Sequence, residues 1–265
     1  MRISVIHSSR GRPAECLETV SAWISSYRAT TELKLEYRLG VEIYELEQYA
    51  ETLTALQTRW GDKIRLRLFQ GPRFELEQIR QPGFKFPPEH EIPRYLTANT
   101  KGNTLIREGL GQADWFVTAT DNLTPPPAWN IAMLPTLQAL RGTVAILGYW
   151  DQLKRKMIPH PVITPEFFAW NRGSLMYPGY YHICSDVELY ILGKLSGKLH
   201  WFDESLVLHH RHPYKTTDGV MDQTFWLNNN GPVTEQGKEV FAARRAELVA
   251  RYGRDVSLEY GDFRD

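Results

Sequence analysis

The chain has 265 residues, 42% of them apolar and 23% charged, which is the balance of a folded protein and excludes wholesale disorder. Lys and Arg total 31, as do Asp and Glu, so there is no net field to hold a polyanion; this weighs against a dedicated nucleic-acid coat and leaves a local basic groove open. Cys16 and Cys184 are too few for a disulfide framework, no stretch approaches the ~18 apolar residues of a membrane span, and the N-terminal apolar run is too short for a signal peptide. These features predict a cytoplasmic protein without a membrane span.

In chain order, the apolar run Ile3–His7 predicts a strand, closed by the breaker-rich turn Ser8-Ser9-Arg10-Gly11-Arg12-Pro13. A helical stripe of Leu17, Val20, Ile24 and Tyr27 follows, with Pro13 suited to its first turn. Leu35, Tyr37, Leu39, Val41 and Ile43 alternate with polar residues or glycine as a half-buried strand does. Leu46 to Trp60 reads as an amphipathic helix ended by Gly61, and Ile64, Leu66 and Leu68 as a third strand. Residues 70–93 dissolve into Pro, Gly and charge, a loop long enough to be functional. A helix over Asn99–Ala113 then feeds the strand Trp115–Thr120.

The second half is less regular. It predicts strands at Val144–Tyr149, Leu199–Phe202 and Leu206–His209, a loop at Pro159–Pro165, a helix at Asp186–Leu195 and a C-terminal helix at Thr234–Tyr252. The β-α-β alternation argues for an α/β fold, a mainly parallel sheet flanked by helices. With no repeat or low-complexity linker, one domain is the expected count.

Ligands of open α/β sheets bind beyond the carboxyl ends of the strands, and four clusters fall at such ends. The turn Ser8 to Pro13 offers helix-end N–H groups and two guanidiniums, suited to a phosphate or to solvent. Glu42 closes the alternating strand on its polar face, where it could accept from a base or ribose. Asp121-Asn122, just past a strand and before Pro125-Pro126-Pro127, suits a hard cation whose shell substrate phosphates would complete, or it caps a turn. Four of the eight histidines lie between residues 200 and 212; on a continued strand His210 and His212 share a side, and imidazole is a ligand for manganese or zinc.

In order, these pieces resemble family 2-type glycosyltransferases of the Rossmann-like GT-A fold, in the compact form found in phages and bacteria. The resemblance covers roughly residues 3–215. It rests on Ser9-Arg10-Gly11-Arg12-Pro13, Asn99-Thr100-Lys101-Gly102-Asn103, Asp121-Asn122 with Trp129, Ser185-Asp186-Val187-Glu188-Leu189, and the His-Arg-His-Pro run at 210–213. It implies a nucleotide-sugar-binding half at 1–130, an acceptor-side half at 131–233 and a C-terminal helix and tail at 234–265. Ser8, Arg10, Arg12, Pro13, Glu42, Asn103, Asp121 and Asn122 would then hold the donor, a UDP-sugar. Asp121 with His210 or His212 would hold Mn2+ or Mg2+, and Asp186 would be the catalytic base with Glu188 next in line. The first acid of the family's Asp-X-Asp motif is Ala119 here, and Asn122 stands where a further acid often follows.

The expected reaction is therefore metal-dependent, inverting transfer of a sugar to a hydroxyl acceptor, such as a glycan or a hydroxymethylated base of phage DNA. A nucleotidyltransferase would use a Gly-rich loop with a lysine near the first strand; this loop has one glycine and arginines. A non-catalytic nucleotide-sugar binder is the reading Ala119 favours. Arg73, Arg80, Lys85 and Arg94, interleaved with Phe74, Phe84, Phe86 and Tyr95, suit nucleic acid, glycan, or a mobile lid.

Overall fold

The computed structural model describes residues 1–150, 157–211, 218–219 and 221–256. The N-terminal half runs β1 (Arg2–Ser8), α1 (Pro13–Ser25), β2 (Lys34–Glu42), α2 (Leu46–Trp60), β3 (Ile64–Phe69), α3 (Leu76–Ile79), α4 (Ala98–Gly109) and β4 (Trp115–Ala119). Next come β5 (Leu123–Thr124), α5 (Trp129–Leu140), β6 (Ile146–Gly148), β7 (Val162–Ile163) and α6 (Pro165–Trp170). The chain continues through α7 (Ser185–Ser196), β8 (Leu199–Trp201), β9 (His209–His210), α8 (Gln223–Asn228) and α9 (Gly231–Tyr252).

Seven strands form one sheet in the order β3-β2-β1-β4-β7-β6-β8, parallel except for β7, which runs against both neighbours. A sheet covered on both faces needs strands apolar on both, and β1 supplies them. Ile3 and Val5 enter the core beneath α1 and α2; Ile6 enters the core beneath α4, α6 and α7. The expected loop at Pro159–Pro165 is corrected here, because it contains β7. Two residues flanked by Pro161 and Pro165 are too few to show alternation. The sequence analysis assigns no element to α5, whose buried Trp129, Met133 and Leu137 stand at helical spacing although Pro135 lies inside it and it starts from Ala128 in the left-handed region. At the C-terminus, Thr234–Tyr252 lies within α9, with Leu248 buried and Phe241 and Tyr252 packed against the same core.

Residues 70–95 do not stand open as a lid. Phe74 stacks on Tyr95 at 4.2 Å and meets Phe84, Phe86 and Tyr181 edge-on, and this aromatic cluster packs the segment against the body. Aromatic pairs of this geometry add ~0.5–1.5 kcal/mol each beyond the area they bury.

β1 is flanked by β2 on one side and β4 on the other, so the connections diverge at its carboxyl end. That divergence opens a crevice where the loops after β1 and β4 separate. α1 fixes the far side of it: Thr19 Oγ1 donates to the carbonyl of Asp121 at 2.8 Å, and Trp23 Nε1 to that of Leu123 at 2.9 Å.

Candidate functional site

A cavity of about 640 Å3 fills this crevice, within the ~300–1,000 Å3 usual for small-molecule sites. Ser8, Arg10, Arg12, Asn103, Asp121, Asn122, Asp186 and His210 all line it. These positions come from distant parts of the chain. His212 lies outside the described residues.

Asp121 is 6% exposed and held from behind. Its Oδ1 accepts from Ser9 Oγ at 2.7 Å and bonds His7 Nε2 at 2.9 Å, while His7 Nδ1 bonds the Tyr37 hydroxyl at 2.8 Å and Ser9 Oγ bonds that of Tyr49 at 2.6 Å. Such a chain of buried bonds fixes a carboxylate's direction, as outer-shell partners do around metal ligands. Among the described residues, His7, Cys16 and Asp121 are the group of three whose donor atoms lie within 4.8 Å of one another. Both nitrogens of His7 are already engaged, and burial with the nearby Asp121 pushes the Cys16 thiol well above its ordinary value. That trio orients Asp121 and is a poor cage for a cation.

β9 pairs antiparallel with β5, setting His210 opposite Leu123, two residues beyond Asp121. His210 is buried and faces the cavity; His209, its neighbour on the strand, points outward to Asp218 at 2.8 Å. The two faces of β9 thus carry one histidine each, as the alternation in the sequence leads one to expect. His160 also lines the cavity, with its ring centroid 4.9 Å from that of His210.

Asp186 sits in the first turn of α7, behind Cys184 in the left-handed region at φ 73°. Its Oδ1 accepts from the Val187 N–H at 2.9 Å. Glu188, two residues on and so ~200° round the helix, does not line the cavity. It bonds Arg244 at 2.8 and 3.0 Å, and burial holds its carboxyl above the ordinary range despite that arginine. Glu188 thus stands apart from Asp186 and anchors α9.

Glu42 also stands apart from the cavity. It is fully buried and outside the cavity lining, bonded to Lys101 Nζ at 2.7 Å and Arg73 at 3.0 Å, with Arg10 at 3.9 Å. Burial alone would push this carboxyl up; Lys101, Arg10 and Arg73 outweigh it and hold it below its ordinary value. The side chain ties β2, α4 and the 70–95 segment together, so its oxygens are already spent on cations of the same chain. Glu42→Ala would strand these cations and is expected to cost about 3–5 kcal/mol in denaturant unfolding. The stability Glu42 supplies is complete above the unfolded value near pH 4.5 and is lost as pH falls below it. The acid limb of wild-type unfolding should therefore flatten in Glu42→Ala.

The arginines are also engaged. Arg12 forms a bidentate pair with Asp222, both contacts at 2.6 Å, and Arg10 donates to the carbonyl of Phe74 at 2.9 Å. Pro13 is the first residue of α1 and does not line the cavity. Asn122 accepts from Thr120 Oγ1 at 2.7 Å and donates to the Arg211 carbonyl at 3.4 Å.

One cavity wall, residues 175–184, is irregular backbone held by amide side chains. Asn103 receives the Leu175 N–H at 2.7 Å and donates to the Met176 carbonyl at 3.1 Å, so its amide serves the wall. Asn99 donates to the Tyr180 carbonyl at 3.4 Å; Gln236 receives the Tyr181 N–H at 3.1 Å and donates to the Gly179 carbonyl at 2.8 Å. Gly237 passes so close that a Cβ would lie 2.7 Å from the Ile183 carbonyl oxygen. His182, on this wall, is one the sequence reading missed; burial and the nearby Arg12 pull it down to about 4, so it is neutral at physiological pH.

No protein-family model and no curated protein matches the sequence. Solved structures do. TarS from S. aureus, residues 1–349 with UDP-GlcNAc, superposes over 99% of this chain and 69% of its own, with a TM-score of 0.60 at 9% identity. The mannosyltransferase PcManGT from Pyrobaculum calidifontis, with GDP-Man and Mn2+, gives 97% and 76%, a TM-score of 0.52 and 10% identity. GalNAc-T7, with UDP, GalNAc and Mn2+, gives 97% and 52%, 0.54 and 15%. At such identities the likeness is one of architecture, and the architecture is the GT-A fold.

Proposed function

We propose that this chain is a divalent-metal-dependent, inverting glycosyltransferase that moves a sugar from a nucleotide-sugar, with UDP as the nucleotide, to a hydroxyl acceptor. The carrying observation is that Asp121, His210 and Asp186 share one cavity at the carboxyl edge of the sheet. The structures of the same fold support it, since they were solved with UDP, UDP-GlcNAc, or GDP-Man and Mn2+.

The donor set fits a cation. Asp121 offers a carboxylate held in place by His7 and Ser9, and His210 offers an imidazole; oxygen and nitrogen together suit Mn2+ better than Mg2+. When bound, such an ion neutralises the charge that grows on a departing diphosphate. The other work falls to the chain itself. Asp186 accepts the proton of the attacking hydroxyl, and a single base with in-line attack inverts the anomeric centre. Arg12 exchanges its hold on Asp222 for the diphosphate. Among the described residues no helix is long and apolar enough to cross a membrane. A glycan or a hydroxymethylated base of phage DNA meets the requirement for a hydroxyl acceptor, and mass spectrometry on incubated candidates separates them.

Calorimetric titration of UDP with and without Mn2+, followed by a nucleotide-sugar hydrolysis screen, tests the reading. Metal-dependent UDP binding and release of UDP from one donor are expected; absence of UDP binding with every divalent cation would refute it. The buried Ala119, where an acid is missing, favours one other reading, a binder without turnover. That reading predicts tight donor binding with no hydrolysis and no transfer.

A further inference from the structure

The cation side of the cavity lacks a carboxylate at Ala119, yet the strand running against β4 brings a different donor to that place. β4 pairs with β7 at Phe116–Ile163 and Val117–Val162, and the Thr118 N–H donates to the Pro161 carbonyl at 3.1 Å. Continued one step, the same register sets His160 opposite Ala119. His160 is 8% exposed and lines the cavity.

His210 reaches the same wall from β9. The two imidazoles meet edge-on at 73°, with ring centroids 4.9 Å apart. Two imidazoles sharing one ion through bonds of ~2.1 Å place their centroids ~4.5–5.3 Å apart for angles between a right angle and the tetrahedral value. The observed spacing lies in that window. Tertiary structure thus brings together two neutral-type ligands from segments 50 residues apart in sequence, beside a carboxylate already fixed in direction.

We infer that His160 is a ligand of the nucleotide-associated cation, taking the part of the carboxylate missing at position 119. The inference rests on the reading of this cavity as a metal–nucleotide site. The three donor groups are not gathered to within 4.8 Å of one another, so rotation of side chains accompanies loading, and the cavity has room for it. The consequence is a selectivity. Imidazole suits Mn2+, Co2+ and Zn2+, whereas Mg2+ takes oxygen ligands and gives up water reluctantly. Two imidazoles and one carboxylate make a site that discriminates against Mg2+, the more abundant competitor, where a site of carboxylates alone would not.

The test reads coordination directly. Pulsed electron paramagnetic resonance of Mn2+ with UDP on the full chain counts nitrogen ligands. The wild type should show two imidazole nitrogens, His160→Ala one and His210→Ala one, and Mn2+ affinity should fall at least ~10-fold in each single variant. His160→Asp should keep Mn2+ binding, show one nitrogen, and raise affinity for Mg2+ relative to Mn2+. Melting temperature without metal identifies any variant that has lost its fold, and His160→Asp serves as the second measurement if alanine has. Unchanged nitrogen count and Mn2+ affinity in folded His160→Ala would overturn the assignment and leave the function untouched. A wild type that binds UDP but no Mn2+ would refute the metal site, and with it both readings of the metal.

Discussion

Asp186→Asn is expected to slow sugar transfer by ~10²–10⁴-fold, the usual contribution of one general base, while UDP affinity and melting temperature stay near wild type. The side chain lies at the start of α7 with one oxygen on the Val187 N–H and the carboxylate on the cavity wall. An amide keeps the shape and still accepts that bond, yet it cannot take a proton from an attacking hydroxyl. A carboxylate that only complements the helix dipole would cost ~0.3–1 kcal/mol of stability and leave turnover alone. The variant therefore separates the two roles by kind of effect. Transfer at near wild-type rate would remove Asp186 from the chemistry. The replacement would be sought elsewhere on the cavity wall, since Glu188 is turned away and tied to Arg244.

Asp121→Asn should lower Mn2+-dependent UDP affinity by at least ~100-fold, more than the loss of an outer-shell partner would. Asparagine is the cleaner probe. Its carbonyl oxygen can still accept from Ser9 and His7, whereas alanine would take the acceptor from both the Ser9 hydroxyl and His7 Nε2, at about 1–3 kcal/mol each. What the amide removes is the charge and a second ligating oxygen. Calorimetry with and without Mn2+ reads the difference, and wild-type metal dependence in a folded variant would take Asp121 out of the cation's shell.

The legibility of this chain in its sequence follows the range over which each signal acts. β1 to β4 could be read because an apolar run, or alternation at period two, is local to the strand. The two residues of β7 leave no periodic trace, and in α5 the internal Pro135 masks a stripe of Trp129, Met133 and Leu137 at helical spacing. Asp121 and His210 could be picked out because strand ends are local too, whereas Asp186 entered through the family resemblance. The role of Glu42 could not be read, since its partners Arg73 and Lys101 lie 31 and 59 positions away. The same holds for His7, Ser9, Tyr37 and Tyr49, which look like ordinary strand, turn and helix residues until the fold stacks them behind one carboxylate. His160 and His182 are isolated in the sequence; only the register of β7 and the wall before α7 bring them to the cavity.

The amide-held wall of the cavity has a consequence for how the molecule can be divided. Residues 175–184 take their shape from Asn99 and Asn103 on α4 and from Gln236 and Gly237 on α9, segments separated by more than 130 positions. The strand-and-helix frame that carries Asp121 could, on its own contacts, assemble early from neighbouring pieces. The recess beside it cannot, because its shape is borrowed from α9, near the far end of the sequence. Tightening or loosening α9 against α7 is therefore expected to retune the shape of the recess.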